Sequence, residues 1–280
     1  MNVDFGEMFA PTVAVSSVRL LAALACELNL DLCNFDIEQA FVQSDLEEDV
    51  YMRLPQGCER LSGKIVRLTN SLYGLKQASR QWHAQLAKCL LTLGFVQCKA
   101  DACVSFDGGE CSDDHSTCRD IVAAGKRDRC DLFGRDLHQL VPAKNLVELR
   151  WYSGCCYERD WEKGVLTISQ QTFAEQLVTE HGVEYSRSVR MPVGTRLTTF
   201  DEAPGNWPFR ELVGSLMWLS TQTRPDISNA VRAVVRYCDA PKFIHWKAAL
   251  GILRYVRRTS SFRITFQRGT VGGLKHAGVC

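Results

Sequence analysis

The chain has 280 residues, 46% of them apolar and 23% charged, with a net charge of +1. That length suits one large domain or two ordinary ones, and the balance is that of a globular protein, not a fibrous or disordered one. No apolar run reaches membrane-spanning length, and the start, MNVDFGEMFAPT, lacks a signal-peptide pattern. An intracellular protein of cytoplasm or nucleus is therefore expected, with no membrane partner and its thirteen cysteines reduced.

In chain order, SSVRLLAALACEL places Leu21, Leu24 and Leu28 on one helical face, with Ser16 or Ser17 as its cap. LNLDLCNF alternates like a half-buried strand, and NFDIEQAF ends that strand on Asp36 before a short helix. Asp36 interrupts an apolar run, and no Lys or Arg lies between Leu20 and Met52. Taken by itself it reads as the N-cap of the turn into IEQAF, the commoner role. The alternative is a carboxylate whose desolvation is offset by a metal or several donors.

VYMRLPQG and KIVRLTNSLYGL read as strands running into turns. SRQWHAQLAKCLLTLGF reads as a helix with Trp82, Leu86, Leu90 and Leu93 on one side and Gly94 at its stop. Residues 107–120, DGGECSDDHSTCRD, hold no Leu, Ile, Val or aromatic side chain and read as irregular. Cys111, His115 and Cys118, with Cys98 and Cys103 upstream, match no closed four-ligand zinc spacing, so free core and loop thiols are expected. CDLFGRDLHQL then reads as helix, LVELRWYSGCCYERD with GVLTISQ as a hairpin, and QTFAEQLVTEHG as helix. Strands interleaved with helices give an α/β or α+β layer.

Three helical stretches close the chain, RELVGSLMWLSTQ, DISNAVRAVVRYC and HWKAALGILRYVRR, with Pro225 at the start of the second. In the third, Trp246, Leu250, Leu253 and Val256 approximate an apolar face. Lys247, Arg254 and Arg258 form a basic stripe beside it. From Gly205 onward there are 12 Lys+Arg against 3 Asp+Glu, a charge of +9, while the remaining residues sum to −8. The stripe reads as a solvated helix face or as a polyanion-binding surface, and the regional excess favours binding.

Six stretches, FAPTVAVSSVRLLAALA, FDIEQAFVQSDLEEDVYMRLPQG, SLYGLKQASRQW, LGFVQCKADACV, ELVGSLMWLSTQTRPDI and HWKAALGILRYV, together cover most of residues 8–268. In this order they resemble the reverse transcriptase of copia-type LTR retrotransposons. The resemblance implies an α+β right-hand polymerase. Residues 8–200 would be the palm with partial fingers, and residues 205–268 a helical thumb- or connection-like region. It also implies an RNA-directed DNA polymerase working on RNA template, DNA primer and deoxynucleoside triphosphates with two Mg²⁺ ions. Asp36 matches the family's catalytic, metal-binding acid at a palm strand end. Gln77 would sit by the nucleotide pocket with Lys76 and Arg80 near phosphates, although each also reads as an ordinary exposed polar residue. Lys247, Arg254 and Arg258 would contact nucleic acid.

The sequence departs from the family where the chemistry lies. IVAAGKRD matches the strand that follows the family's Tyr-Val-Asp-Asp, so that motif falls on TCRD, residues 117–120. Arg119 stands in place of the first acid, and Asp120 is left as partner to Asp36, catalytic and metal-binding. A rival register shifts by six residues to the intact pair Asp113 and Asp114. Ser79 replaces the family's usual Pro. The family's basic fingers segment is expected ahead of FAPT and its RNase H domain after the last helix, so a truncated, degenerate copy is expected. Three readings stand: a working polymerase, a nucleic-acid-binding remnant without catalysis, and a decayed copy without a role.

Overall fold

In a computed structural model, residues 8–58, 61–107, 113–116, 120–183 and 207–270 are described. Helices and strands mix in an α+β arrangement, and the chain divides into two compact units, Met1–Leu149 with Arg268–Cys280, and Arg150–Gln267. That division lies about fifty residues ahead of the boundary near residue 200 drawn from the motifs.

The first unit opens with α1 (Val15–Glu27), whose Leu21, Leu24 and Ala25 are buried, while Leu28 lies past its end and is exposed. Neither Ser16 nor Ser17 caps it. The N-cap is Ala14, and Asp101, distant in sequence, takes the capping role from outside. Its Oδ2 accepts from the Ala14 N–H at 3.1 Å and from the Ser17 hydroxyl at 2.7 Å. A carboxylate at the positive end of the helix satisfies donors that the helix itself leaves unpaired.

Six antiparallel strands follow in one sheet: β1 (Asp31–Ile37), β4 (Phe95–Gln97), β5 (Val104–Asp107), β6 (Asp113–Ser116), β7 (Asp120–Gly125) and β8 (Ala143–Asn145). Their order across the sheet is β4-β5-β6-β7-β1-β8. β2 (Tyr51–Arg53) and β3 (Ile65–Arg67) pair in a separate ribbon. The polar stretch expected to be irregular thus contributes β6 to the interior of the sheet. Backbone pairing on both sides, with β5 and with β7, holds it there.

On one face of β1, Cys33, Phe35 and Ile37 alternate into the core and meet α2 (Ala78–Thr92) and α3 (Arg127–Leu140) through Trp82, Leu86, Phe133 and Leu137. Each large apolar side chain buried there contributes roughly 1.5–3 kcal/mol. Trp82, Leu86 and Leu90 are buried as the helical spacing predicts, and Gly94 ends α2 with φ +91°. Gly134 lets α3 approach β1 closely, since a Cβ there would stand 2.6 Å from the Phe35 ring.

The described residues of the second unit combine the sheet β12-β11-β10-β9 with four helices. The strands are β9 (Trp151–Tyr152), β10 (Cys155–Asp160), β11 (Val165–Ser169) and β12 (Ile264–Gln267). The helices are α4 (Gln171–Glu180), α5 (Phe209–Gln222), α6 (Ser228–Val235) and α7 (Phe243–Arg258). Pro225 opens a short 3-10 turn that leads into α6. The buried face of α7 is His245, Ala249, Ile252, Leu253 and Val256, while Trp246 and Leu250 are only partly buried. The expected face is therefore rotated by about one residue. His245 fits inside because its Nδ1 accepts the Lys242 N–H at 2.9 Å and its ring stacks on Tyr237.

Arg224, in this unit, is a buried cation, 2% exposed. Its Nε and Nη2 fork onto the Asp226 carboxylate at 2.9 and 2.8 Å. Nη1 donates to the Thr259 carbonyl at 2.9 Å, and Nη2 to the Thr259 hydroxyl at 2.6 Å. The rings of Tyr255 and Phe262 lie against the guanidinium. The knot ties the start of the 3-10 turn to the end of α7.

Candidate functional site

β1 carries Asp36 to the edge of the core, next to last in the strand and half-buried. It caps no helix. The following 3-10 turn, Ala40–Gln43, starts from Gln39 without a side-chain cap. Strand pairing explains the placement. β1 and β7 run antiparallel in the register Cys33↔Ala123, Phe35↔Ile121, Asp36↔Asp120, so the two acids face each other across one rung. Directly paired residues have Cα atoms about 4.5–5.5 Å apart.

β6 and β7 form a hairpin whose connection, residues 117–119, lies outside the described residues, and Arg119 with it. Asp120 is the first residue of β7 after that connection. Asp113 and Asp114 belong to β6, where Asp114 pairs with Ala123 and Asp113 with Phe106. Ala123 pairs in turn with Cys33, three rungs from Asp36. The backbone of Asp114 is thus about 10 Å along the strand direction and about 10 Å across two strand spacings from that of Asp36. The sheet brings Asp36 to Asp120 and not to Asp114.

On its other side Asp36 pairs with Lys144 of β8, a neighbour that sequence spacing does not reveal because β8 joins the sheet edge after α3. The Lys144 ammonium turns to Glu38 at 2.6 Å. The shared hydrogen bond holds the Glu38 carboxyl below its ordinary range and the Lys144 ammonium above its own, with Asp36 adding to the latter. A cation standing beside Asp36 is thereby engaged by a second acid.

The three residues expected near a nucleotide cluster at the start of α2 in different surroundings. Gln77 is buried, Lys76 is exposed, and Arg80 reaches Glu47 at 3.3 Å. Beside it, Gln81 donates to Glu48 at 3.1 Å, so the acidic run DLEED at residues 45–49 anchors this end of the helix. Lys247, Arg254 and Arg258 belong to the second unit, on α7. Lys247 and Arg258 are exposed and Arg254 is half-buried. The Lys247 ammonium lies 4.4 Å from the centre of the Phe243 ring.

Among the described residues no group of three or more His, Cys, Asp or Glu is gathered as a metal cage. Cys98 and Cys103 are reduced, and Cys111 and Cys118 lie outside the described residues. No described helix is long and apolar enough to cross a membrane.

Residues 1–195 match the family model described as reverse transcriptase (RNA-dependent DNA polymerase). The chain is 32% identical over 285 residues to the retrovirus-related Pol polyprotein from transposon TNT 1-94 of Nicotiana tabacum, covering 95% of this chain and 21% of that polyprotein. It is 29% identical over 282 residues to the Pol polyprotein from transposon RE2 of Arabidopsis thaliana, covering 98% and 19%. A putative transposon Ty5-1 protein of Saccharomyces cerevisiae is 25% identical over 249 residues, covering 84% and 79%. The chain spans about a fifth of the length of the two plant polyproteins.

Proposed function

Since the chain belongs to the reverse transcriptase (RNA-dependent DNA polymerase) family of copia-type retrotransposon Pol polyproteins, we propose that it is a polymerase palm that holds nucleic acid without copying it. In this reading residues 8–200 are the palm with partial fingers, and residues 205–268 are the thumb- or connection-like part. Lys247, Arg254 and Arg258 contact the phosphates of an RNA template and DNA primer. Lys76, Gln77 and Arg80 border the place of the incoming deoxynucleoside triphosphate.

The observation that carries the reading is the rung Asp36↔Asp120 together with the residue that precedes Asp120 in sequence. The family uses divalent metal ions. Two Mg²⁺ ions acting on one phosphate need carboxylate oxygens for both. The residues here offer Asp36 and Asp120, with Arg119 at the position in the sequence that the family's motif gives to a further acid. Replacing a ligand by a cation changes the local charge by two units where neutralisation does the chemistry. The donor set does not fit two Mg²⁺ ions, and nucleotidyl transfer is not assigned to this chain.

Extension of a labelled primer on an RNA template with Mg²⁺, run beside binding of the same hybrid, tests the reading. Binding without extension is the expected pair of results. Mg²⁺-dependent extension by the unmodified chain overturns it, and so does failure to bind at low salt.

A further inference from the structure

Leu93, Phe95 and Phe133 wall a cavity of about 140 Å³ in the first unit, and Asp107, Arg129 and Asp136 supply its polar lining. Regular structure brings the six together. Arg129, Phe133 and Asp136 follow one another at four and three residues on one face of α3. Leu93 closes the end of α2. Phe95 on β4 stands directly opposite Asp107, the last residue of β5. The Phe95 and Phe133 rings meet edge to face with their centres 5.2 Å apart, so two sides of the cavity are aromatic.

The charges of the lining do not balance. Arg129 is held by Asp107 in an ion pair. Asp136 is half-buried and has neither hydrogen bond nor ion pair among the described residues. Two carboxylates therefore share one guanidinium, and one negative charge is left over beside an apolar wall. A cavity of roughly 150 Å³ is enough for a benzene ring. A neutral ring placed here would strip water from Asp136 and give it no partner, and an anion would meet an uncompensated carboxylate. A hard metal ion would find too few oxygens, since Mg²⁺ and Ca²⁺ take about six or more. A ring that carries one cationic nitrogen satisfies the wall and the carboxylate together.

We propose that this cavity is a binding site for a small organic monocation, with an aryl or alicyclic ring against Leu93, Phe95 and Phe133 and an ammonium that donates to the Asp136 carboxylate. A mostly apolar pocket with a few converging polar groups is the usual form of a small-molecule site. The Arg129 side chain is 58% exposed, so the charged side of the cavity opens to solvent and the ligand enters ring first. The site is separate from the acidic rung. α3 covers the face of β1 to which Cys33, Phe35 and Ile37 point, and Asp36 alternates to the opposite face. Binding here therefore requires neither nucleic acid nor a metal ion at Asp36 and Asp120.

The probes are para-fluorobenzylamine, para-fluorobenzyl alcohol and para-fluorobenzoate, which share a ring and differ in charge. Each is titrated into the full chain and followed by fluorine NMR relaxation. The amine should bind about tenfold or more tightly than the alcohol, and the benzoate should not bind. Asp136→Asn should abolish the preference for the amine and leave the alcohol's weak binding in place, which separates a lost charge from a lost fold. Arg129→Gln releases Asp107 and makes the lining more negative, so it should tighten the amine severalfold, a gain that a damaged fold does not produce. Equal binding of amine and alcohol by the unmodified chain overturns the proposal, as does amine binding that survives Asp136→Asn. Failure of the amine to bind the unmodified chain overturns it as well.

Discussion

Replacing Arg224 by Ala removes both prongs of the Asp226 fork and both bonds to Thr259, and leaves Asp226 beside the Tyr255 hydroxyl, whose bond to it is 3.1 Å. Breaking a buried charged pair by deleting one partner costs about 3–5 kcal/mol. The Asp226 side chain is 32% exposed and recovers some hydration, so the low end applies. The expected loss is about 3 kcal/mol, or roughly 10 °C in the unfolding midpoint of the second unit. Arg224→Lys keeps the charge but not the fork, and should lose about half as much. Five of the six tryptophans, Trp151, Trp161, Trp207, Trp218 and Trp246, lie in that unit, so urea unfolding followed by intrinsic fluorescence reads it directly. The same knot sets an acid limit. Burial pushes the Asp226 carboxyl up, but the Arg224 and Tyr255 hydrogen bonds outweigh it and hold it below its ordinary 3.8. Its contribution is therefore complete above the unfolded value and lost as the pH falls below about 4 through the lowered folded one. Asp226→Asn should flatten this part of the pH profile. A loss under about 1 kcal/mol for Arg224→Ala would refute the assignment of the knot as a main tie of this unit.

The first unit carries two backbone tests. Val147 holds φ +71°, a conformation strained for a β-branched side chain, so Val147→Gly should stabilise the unit by about 1 kcal/mol in chemical denaturation. An unchanged or lower midpoint would count against strain there. Gly134→Ala drives a methyl into the Phe35 ring. The clash should exceed the helix-propensity gain and cost about 1–2 kcal/mol net, whereas a stabilised variant would show that α3 shifts freely on β1. For the basic helix, a salt titration of duplex binding should give a steep log–log slope. Replacing Lys247, Arg254 and Arg258 together by Ala should lower that slope by roughly 2–3. An unchanged slope would remove those residues from the contact surface.

The helices were legible because their apolar spacing is regular. Trp82, Leu86 and Leu90 report the buried side of α2 directly. The strand ending at Asp36 was legible for the same reason, and the motif register anticipated its pairing with Asp120. β6 was not legible, because DDHS has no apolar alternation and its place in the sheet is fixed by backbone bonds to its two neighbours. Long-range polar contacts were equally hidden. Asp101 satisfies the start of α1 from 84 residues away, and Lys144 arrives beside Asp36 from a strand that follows another helix. Arg224 was not singled out ahead of Pro225, since no local pattern announces that a cation will be buried with its carboxylate two residues on. The offset of the α7 face has a plain cause. His245 is accommodated inside by the Lys242 N–H and Tyr237, which turns Trp246 partly outward.

Metal binding at the Asp36↔Asp120 rung tests the central claim most directly, because it is independent of template, primer and nucleotide. Mn²⁺ takes the same oxygen ligands as Mg²⁺ and is counted as free or bound by electron paramagnetic resonance. The unmodified chain should bind at most one Mn²⁺ weakly at this rung. Arg119→Asp should tighten binding by roughly tenfold or more, about 1.4 kcal/mol, and Asp36→Asn introduced into that variant should abolish the gain. Two Mn²⁺ ions bound by the unmodified chain, and lost on Asp36→Asn, would contradict the account.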